Sequence, residues 1–201
     1  MKNDDFPLKL IDFGTYYQLS KPPHDGDALQ WHQDAPLWPI LDPEQSHCMV
    51  SAWVTFDSVD ESNGALQMVP GSYMWGDCMD EINEIRRIRS SATAAHELGL
   101  LQLPGGRAVA RTCPVSKGEV HFHHALTWHG SGRNASDRPR RAHALHFMRP
   151  DTRYVAAKDH VMKQCVECAD GEAMSGAGPH FPRVSDSSGR VLEHKTKSTG
   201  H

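Results

Sequence analysis

The chain has 201 residues, 38% hydrophobic and 23% charged, with a formal net charge of −4 at neutral pH. That length suits one domain with a sizeable core, and the composition is globular, if on the polar side. The mildly acidic balance argues against a general nucleic-acid binder, and no run of about 18 apolar residues offers a membrane span.

Taken in chain order, "PLKLIDFGTYYQLS" (7–20) alternates loosely and reads as a strand or hairpin. A Pro/Gly loop follows over 21–27, and "ALQWHQDAPLWPI" starts extended until Pro36 and Pro39 break it. The strongest strand signal is 47–59. Met49, Ser51, Trp53 and Thr55 fall on one face, with Cys48, Val50, Ala52, Val54 and Phe56 on the other. Residues 60–73 read as turn, short strand and turn. The spacing of Met79, Ile82, Ile85 and Ile88 predicts a helix within 77–101. Extended structure resumes after Gly105-Gly106, turns at Gly118, and continues as one or two strands in "KGEVHFHHALTWHG" and another over 141–148. Beyond Pro150 the apolar pattern fades, and 170–201, rich in Gly, Ser, Pro and charge, reads as loosely ordered. Many short strands and few helices favour an all-β sandwich or barrel, of which the jelly roll is one form. The expectation is a single domain over 1–201 with its core in about 8–150.

The amino-terminal "MKNDDFPLKL" lacks the apolar stretch of a secretory signal. The five scattered cysteines (Cys48, Cys78, Cys113, Cys165, Cys168) read as reduced thiols of a cytoplasmic protein. Histidine is unusually frequent, at 14 residues, and is the commonest metal ligand. In "WHQD", His32 and Asp34 are two apart, so an extended backbone points both to one side. His129 ends an apolar strand much further on. Two imidazoles and a carboxylate on one face of an ion form the facial triad of non-haem Fe(II) oxygenases, with open positions opposite. An H-x-D triplet is common by chance, and a histidine at a strand end is ordinarily a satisfied polar residue, so these residues alone leave a structural role open. His121 and His123 share a strand face and offer competing ligands, but no glutamate follows them as in a cupin-type pair. These two and His124 therefore read as structural or supporting. "CVEC" (Cys165, Cys168) has the spacing of half a zinc site without a second half.

The stretch "HGSGRNASDRPRRA" (129–142) resembles the carboxy-terminal signature of the phytanoyl-CoA dioxygenase family of Fe(II)/2-oxoglutarate-dependent oxygenases, H-G-S-x-x-N-x-S-x-x-x-R. "WHQDAPLWP" is similar to the family's H-x-D segment. "SAWVTFDSVDESNGALQMVPGSY" is similar to the segment between, with its E-x-N-G and P-G-S turns. The three motifs occur in the family's order. The resemblance implies an all-β core, a double-stranded β-helix (jelly roll, cupin-like) with a few flanking helices. It implies Fe(II), 2-oxoglutarate as co-substrate and O2, with His32, Asp34 and His129 as metal ligands. Arg140 is implied to pair with the distal carboxylate of 2-oxoglutarate, with Arg141 the lesser candidate. Ser131 is implied to add a hydroxyl to that carboxylate, and Gln33 and Trp53 to line the pocket. Trp31, Trp38, Met49 and Trp128 are candidates either for apolar walls or for ordinary core.

Arginine suits the carboxylate role because its planar fork stays charged when desolvated. Related halogenases replace the carboxylate ligand by a small residue, so Asp34 implies hydroxylation or another oxidation of an unactivated C–H bond in a small molecule, with release of succinate and CO2. Two alternatives stay open: a non-catalytic jelly-roll binding protein and a Zn-dependent cupin-like enzyme. Family members carry a longer helical region before the H-x-D segment than the 31 residues found here. The expectation is that apolar surface left uncovered is hidden by homo-oligomerisation.

Overall fold

A computed structural model describes residues 11–13, 18–88, 109–185, 188 and 190–192. Two antiparallel sheets face each other. In the larger, β4 (Val50–Thr55) lies between β7 (Val120–His124) and β9 (Arg140–Met148). Beyond β9, that sheet takes in both β1 (Ile11–Phe13) and β2 (Gln18–Lys21). The smaller runs β3 (Leu29–His32), β8 (His129–Ser131), β5 (Leu66–Met68), β6 (Arg111–Cys113). Consecutive strands repeatedly cross from one sheet to the other, which is the jelly-roll arrangement.

Alternation in β4 sets which face is inside. Met49, Ser51, Trp53 and Thr55 are all buried, whereas Cys48 and Phe56 are exposed. The turn after β4 is built by its own side chains. Asp60 accepts from Ser62 N, Asn63 accepts from Asp60 N, and Gly64 ends the turn at φ 88°, a conformation that suits glycine.

Helix α2 (Met79–Ile88) starts two residues later than the 77–101 signal, and 89–101 lie outside the described residues. Its Ile82 is fully buried against Trp31, Val69, Cys78 and Trp128, covering the outer side of the smaller sheet. Trp31 and Trp128 thus serve as core there. A second helix, α1 (Pro43–Ser46), is a single turn capped by the Asp42 carboxylate.

The carboxy-terminal expectation is corrected in part. Met174 and Phe181 are fully buried with Ile40, Leu41, Met49, Leu126, Met148 and Tyr154, closing one end of the barrel. Residues 170–185 are held by these two apolar anchors, which composition averages conceal. No helix among the described residues is long and apolar enough to cross a membrane.

Candidate metal centre

The register of the smaller sheet sets His32 on β3 directly opposite His129 on β8, with ring centroids 4.1 Å apart. Asp34 lies two residues past the end of β3, where the amides of Asp34 and Ala35 both donate to Ala125 O (2.8 and 3.1 Å) and turn the chain inward. One ligand atom from each of His32, Asp34 and His129 lies within 4.8 Å of the others. Among the described residues this is the group of three so arranged. Asp34 Oδ1 is 3.7 Å from His32 Nε2 and 3.6 Å from His129 Nε2.

Both rings are oriented by the same device. His32 Nδ1 lies 2.8 Å from Gln30 O, and His129 Nδ1 lies 2.9 Å from Thr127 O. A carbonyl only accepts, so each Nδ1 carries a proton and each Nε2 is the nitrogen turned towards Asp34 Oδ1. Burial, with the neighbouring His32, holds His129 well below the ordinary histidine pKa and therefore neutral. Burial alone would raise the pKa of Asp34. His129, the hydrogen bond from His123 and the nearby His146 outweigh it and hold the carboxyl well below the usual range. A divalent metal requires an ionised carboxylate and neutral imidazoles, and the pKa shifts of Asp34 and His129 favour that state. The donor set fits iron: two nitrogens and one oxygen on one face.

The second oxygen of Asp34 is held from the opposite sheet. Oδ2 accepts from Ser51 Oγ and from His123 Nε2 at 3.0 Å, and Ser51 Oγ is 2.8 Å from His146 Nδ1. Ser51 is directly opposite both His123 on β7 and His146 on β9, so three neighbouring strands form one polar row beneath the carboxylate. These partners leave Oδ1 as the oxygen free to ligate.

Arg140 enters the barrel from β9. It is 2% exposed, its Cζ lies 5.3 Å from the Trp53 ring centroid, and Nη1 donates to Leu19 O at 3.3 Å. Burial lowers its pKa to about 10, which leaves it charged at neutral pH. Arg140 Nε, Trp53 Nε1 and Ser131 Oγ are buried without a hydrogen-bond partner. Each such orphan costs about 1–3 kcal/mol, so a cluster of donors fits a site for an acceptor-rich ligand such as a dicarboxylate. Arg141, on the other face, forms a bidentate pair with Asp57 (2.9 and 2.7 Å) and lies outside the barrel.

Gln33 requires a correction. It points away from its neighbours His32 and Asp34, donates to Gly76 O and Leu126 O (2.8 Å each) and accepts from Cys78 N at 2.8 Å. Its amide is a brace between three backbone segments, and both of its N–H donors are used, leaving none for a carboxylate. Of the histidine cluster, His123 joins the site through Asp34, and His121 stacks on it with centroids 5.6 Å apart. His124 accepts from Leu126 N (3.1 Å) and packs on Tyr73. Cys165 and Cys168 pack on the core cluster around Met174. Motif reading missed Ser51 and His146. The signal was present for Ser51, which shares the inward face of β4 with Trp53.

A two-sheet antiparallel barrel with two imidazoles and a carboxylate gathered between its sheets is a jelly-roll protein of the facial-triad type. The phytanoyl-CoA dioxygenase (PhyH) family model matches residues 10–142. The chain belongs to that family. It is 24% identical over 170 residues to the peroxisomal phytanoyl-CoA dioxygenase of Rattus norvegicus, covering 76% of this chain and 45% of that protein. It is 30% identical over 167 residues to a probable alpha-ketoglutarate-dependent hypophosphite dioxygenase of Stutzerimonas stutzeri, covering 82% and 52%. Among solved structures it is similar to SnoK, a non-haem alpha-ketoglutarate-dependent carbocyclase from nogalamycin biosynthesis. The identity is 25% and the TM-score 0.59, over 86% of this chain and 61% of that one. The chain spans about half the length of the curated relatives it matches.

Proposed function

We propose that the chain acts as an Fe(II)- and 2-oxoglutarate-dependent dioxygenase that hydroxylates or otherwise oxidises an unactivated C–H bond of a small molecule. The observation that carries the reading is the ligand-ready state of His32, Asp34 and His129 in a barrel of this family. These three residues would hold the iron. When bound, the metal supplies O2 activation coupled to oxidative decarboxylation of 2-oxoglutarate to succinate and CO2. The chain's own part is orientation. Arg140, stacked on Trp53 and joined by Ser131, binds the distal carboxylate, and the polar row under Asp34 keeps one carboxylate oxygen away from the metal. Relatives named for hypophosphite and for ectoine support a small-molecule substrate. Five free thiols support a reducing, cytoplasmic setting. Val120 and Phe122, 41% and 63% exposed on one face of β7, support self-association. Sedimentation that finds only monomer at high concentration counts against it.

The test is succinate formation from 2-oxoglutarate under air by protein reconstituted with Fe(II), alone and with a panel of small molecules. Turnover with Fe(II), none with Zn(II), and none from Asp34→Ala is the expected outcome. Iron-loaded wild-type protein that binds 2-oxoglutarate yet releases no succinate, even uncoupled, would sink the enzymatic reading and leave a binding protein.

A further inference from the structure

Two cations are buried side by side at the edge of the barrel. Lys21 on β2 and Arg140 on β9 are directly opposite in the strand register, 5% and 2% exposed. An ammonium taken out of water is costly, and lysine is seldom buried without an acidic partner. Among the described residues, no carboxylate forms an ion pair with either. The nearby Asp27 carboxylate is 91% exposed and pairs with Arg133 at 3.4 Å. The Lys21 ammonium donates to Gly132 O, which occupies one of its three N–H groups.

The lysine stem runs in a track that the backbone has cleared. A Cβ at Gly26 would lie 2.5 Å from Lys21 Cβ, and one at Gly64 would lie 3.0 Å from Cδ and 3.4 Å from Nζ. The track delivers the ammonium to the residue after Ser131. Lys21 and Arg140 also line one cleft of about 360 Å³ with Leu19 and Leu29. Asp25 and Asp27 lie at the same cleft and are exposed, so the cations are the buried end of it.

We propose that Lys21 is a second cation of the dicarboxylate subsite, its ammonium and the Arg140 guanidinium together binding the distal carboxylate of the 2-oxo acid. This rests on the reading of Arg140 above. A staple to Gly132 explains one hydrogen bond of Lys21 but not a cation set against another cation, since a neutral donor would make that bond without repulsion. Burial and the Arg140 charge push the Lys21 pKa down to about 7. An anion between the two groups removes the repulsion and keeps the ammonium protonated.

The test is calorimetric titration of Mn(II)-loaded protein with 2-oxoglutarate and with 2-oxobutyrate, a 2-oxo acid without the second carboxylate. Wild-type protein should prefer 2-oxoglutarate, and Lys21→Met should reduce that preference about tenfold or more with 2-oxobutyrate affinity unchanged. Full preference in Lys21→Met with loss in Arg140→Met overturns the proposal and leaves the Arg140 reading standing. No preference in wild-type protein overturns both. Should Lys21→Met fail to fold, wild-type protein answers the question through the rate of Lys21 acetylation by acetic anhydride, read by peptide mass spectrometry. Slowing by 2-oxoglutarate but not by 2-oxobutyrate supports the proposal, and equal rates with both overturn it.

Discussion

Asp34 shows how much of a metal ligand's behaviour is decided by groups that never touch the metal. Ser51 and His123 hold its Oδ2 from the opposite sheet. Ser51→Ala and His123→Leu should each weaken Mn(II) binding about tenfold, because outer partners of metal ligands are typically worth 10- to 100-fold in affinity. Equilibrium dialysis reads this directly, and unchanged affinity in both variants would remove the row from the site. Gln33→Ala should act differently. It should cost about 3 kcal/mol of unfolding free energy in denaturant titrations and leave metal stoichiometry intact, since three buried backbone groups lose their partner. His32 and Asp34 were legible because a spacing of two in extended chain has one geometric meaning. Gln33 between them was misread for the same reason: that geometry turns it to the other side, and proximity in sequence is not proximity in space. His146 was invisible because its value comes from pairing with Ser51 across strands, which no local pattern encodes.

The connection from β8 to β9 is an element with its own internal order. Asn134, 1% exposed, donates to Lys21 O (3.0 Å) and Arg138 O (2.7 Å), and its Oδ1 accepts from Ser136 N and Ser136 Oγ. A polar loop therefore sits between two core strands with the buried side-chain polar atoms of 132–139 all paired. Asn134→Ala should destabilise the protein by about 2–3 kcal/mol and shift the register that presents Arg140, lowering 2-oxoglutarate affinity as well. Chemical denaturation and calorimetry together check it, and a loss of stability without a loss of affinity would confine Asn134 to scaffolding. The strands themselves were largely legible. β4 followed its alternation, and "KGEVHFHHALTWHG" resolved into β7 and β8. Element ends were less so: the 47–59 signal narrows to Val50–Thr55, since pairing partners on both sides end there.

The whole molecule stores several histidines in neutral form. Burial lowers His121 to about 4 and His129 well below its ordinary value, each helped by a neighbouring histidine. Between pH 4 and 6.5 the unfolded chain binds more protons at these sites than the folded one, so stability rises with pH across that window. Metal-free protein should therefore lose thermal stability steadily as pH falls from 6.5 towards 4, and His121→Gln should flatten the slope. A Tm independent of pH in that range would contradict neutral burial of these rings. The jelly-roll class was legible from strand count and turn frequency. The anchoring of 170–185 was not, because Met174 and Phe181 are two apolar residues in a polar stretch and only the barrel end shows what they fill.

The pairing of His32 with His129 makes any bound ion a reversible cross-link between parts of the chain far apart in sequence. In the unfolded chain His32 and Asp34 stay neighbours, but His129 is separated by a long loop whose closure must be supplied by folding. Most of the affinity for metal is therefore available only to the folded chain, and metal supply acts on the folding equilibrium itself. At a free metal concentration a hundred times Kd the gain is about 2.7 kcal/mol. Stripping the ion with a chelator should lower the Tm and open the barrel to proteases, and re-adding metal should reverse both. A chain of this kind is protected from degradation to the extent that its surroundings provide the ion.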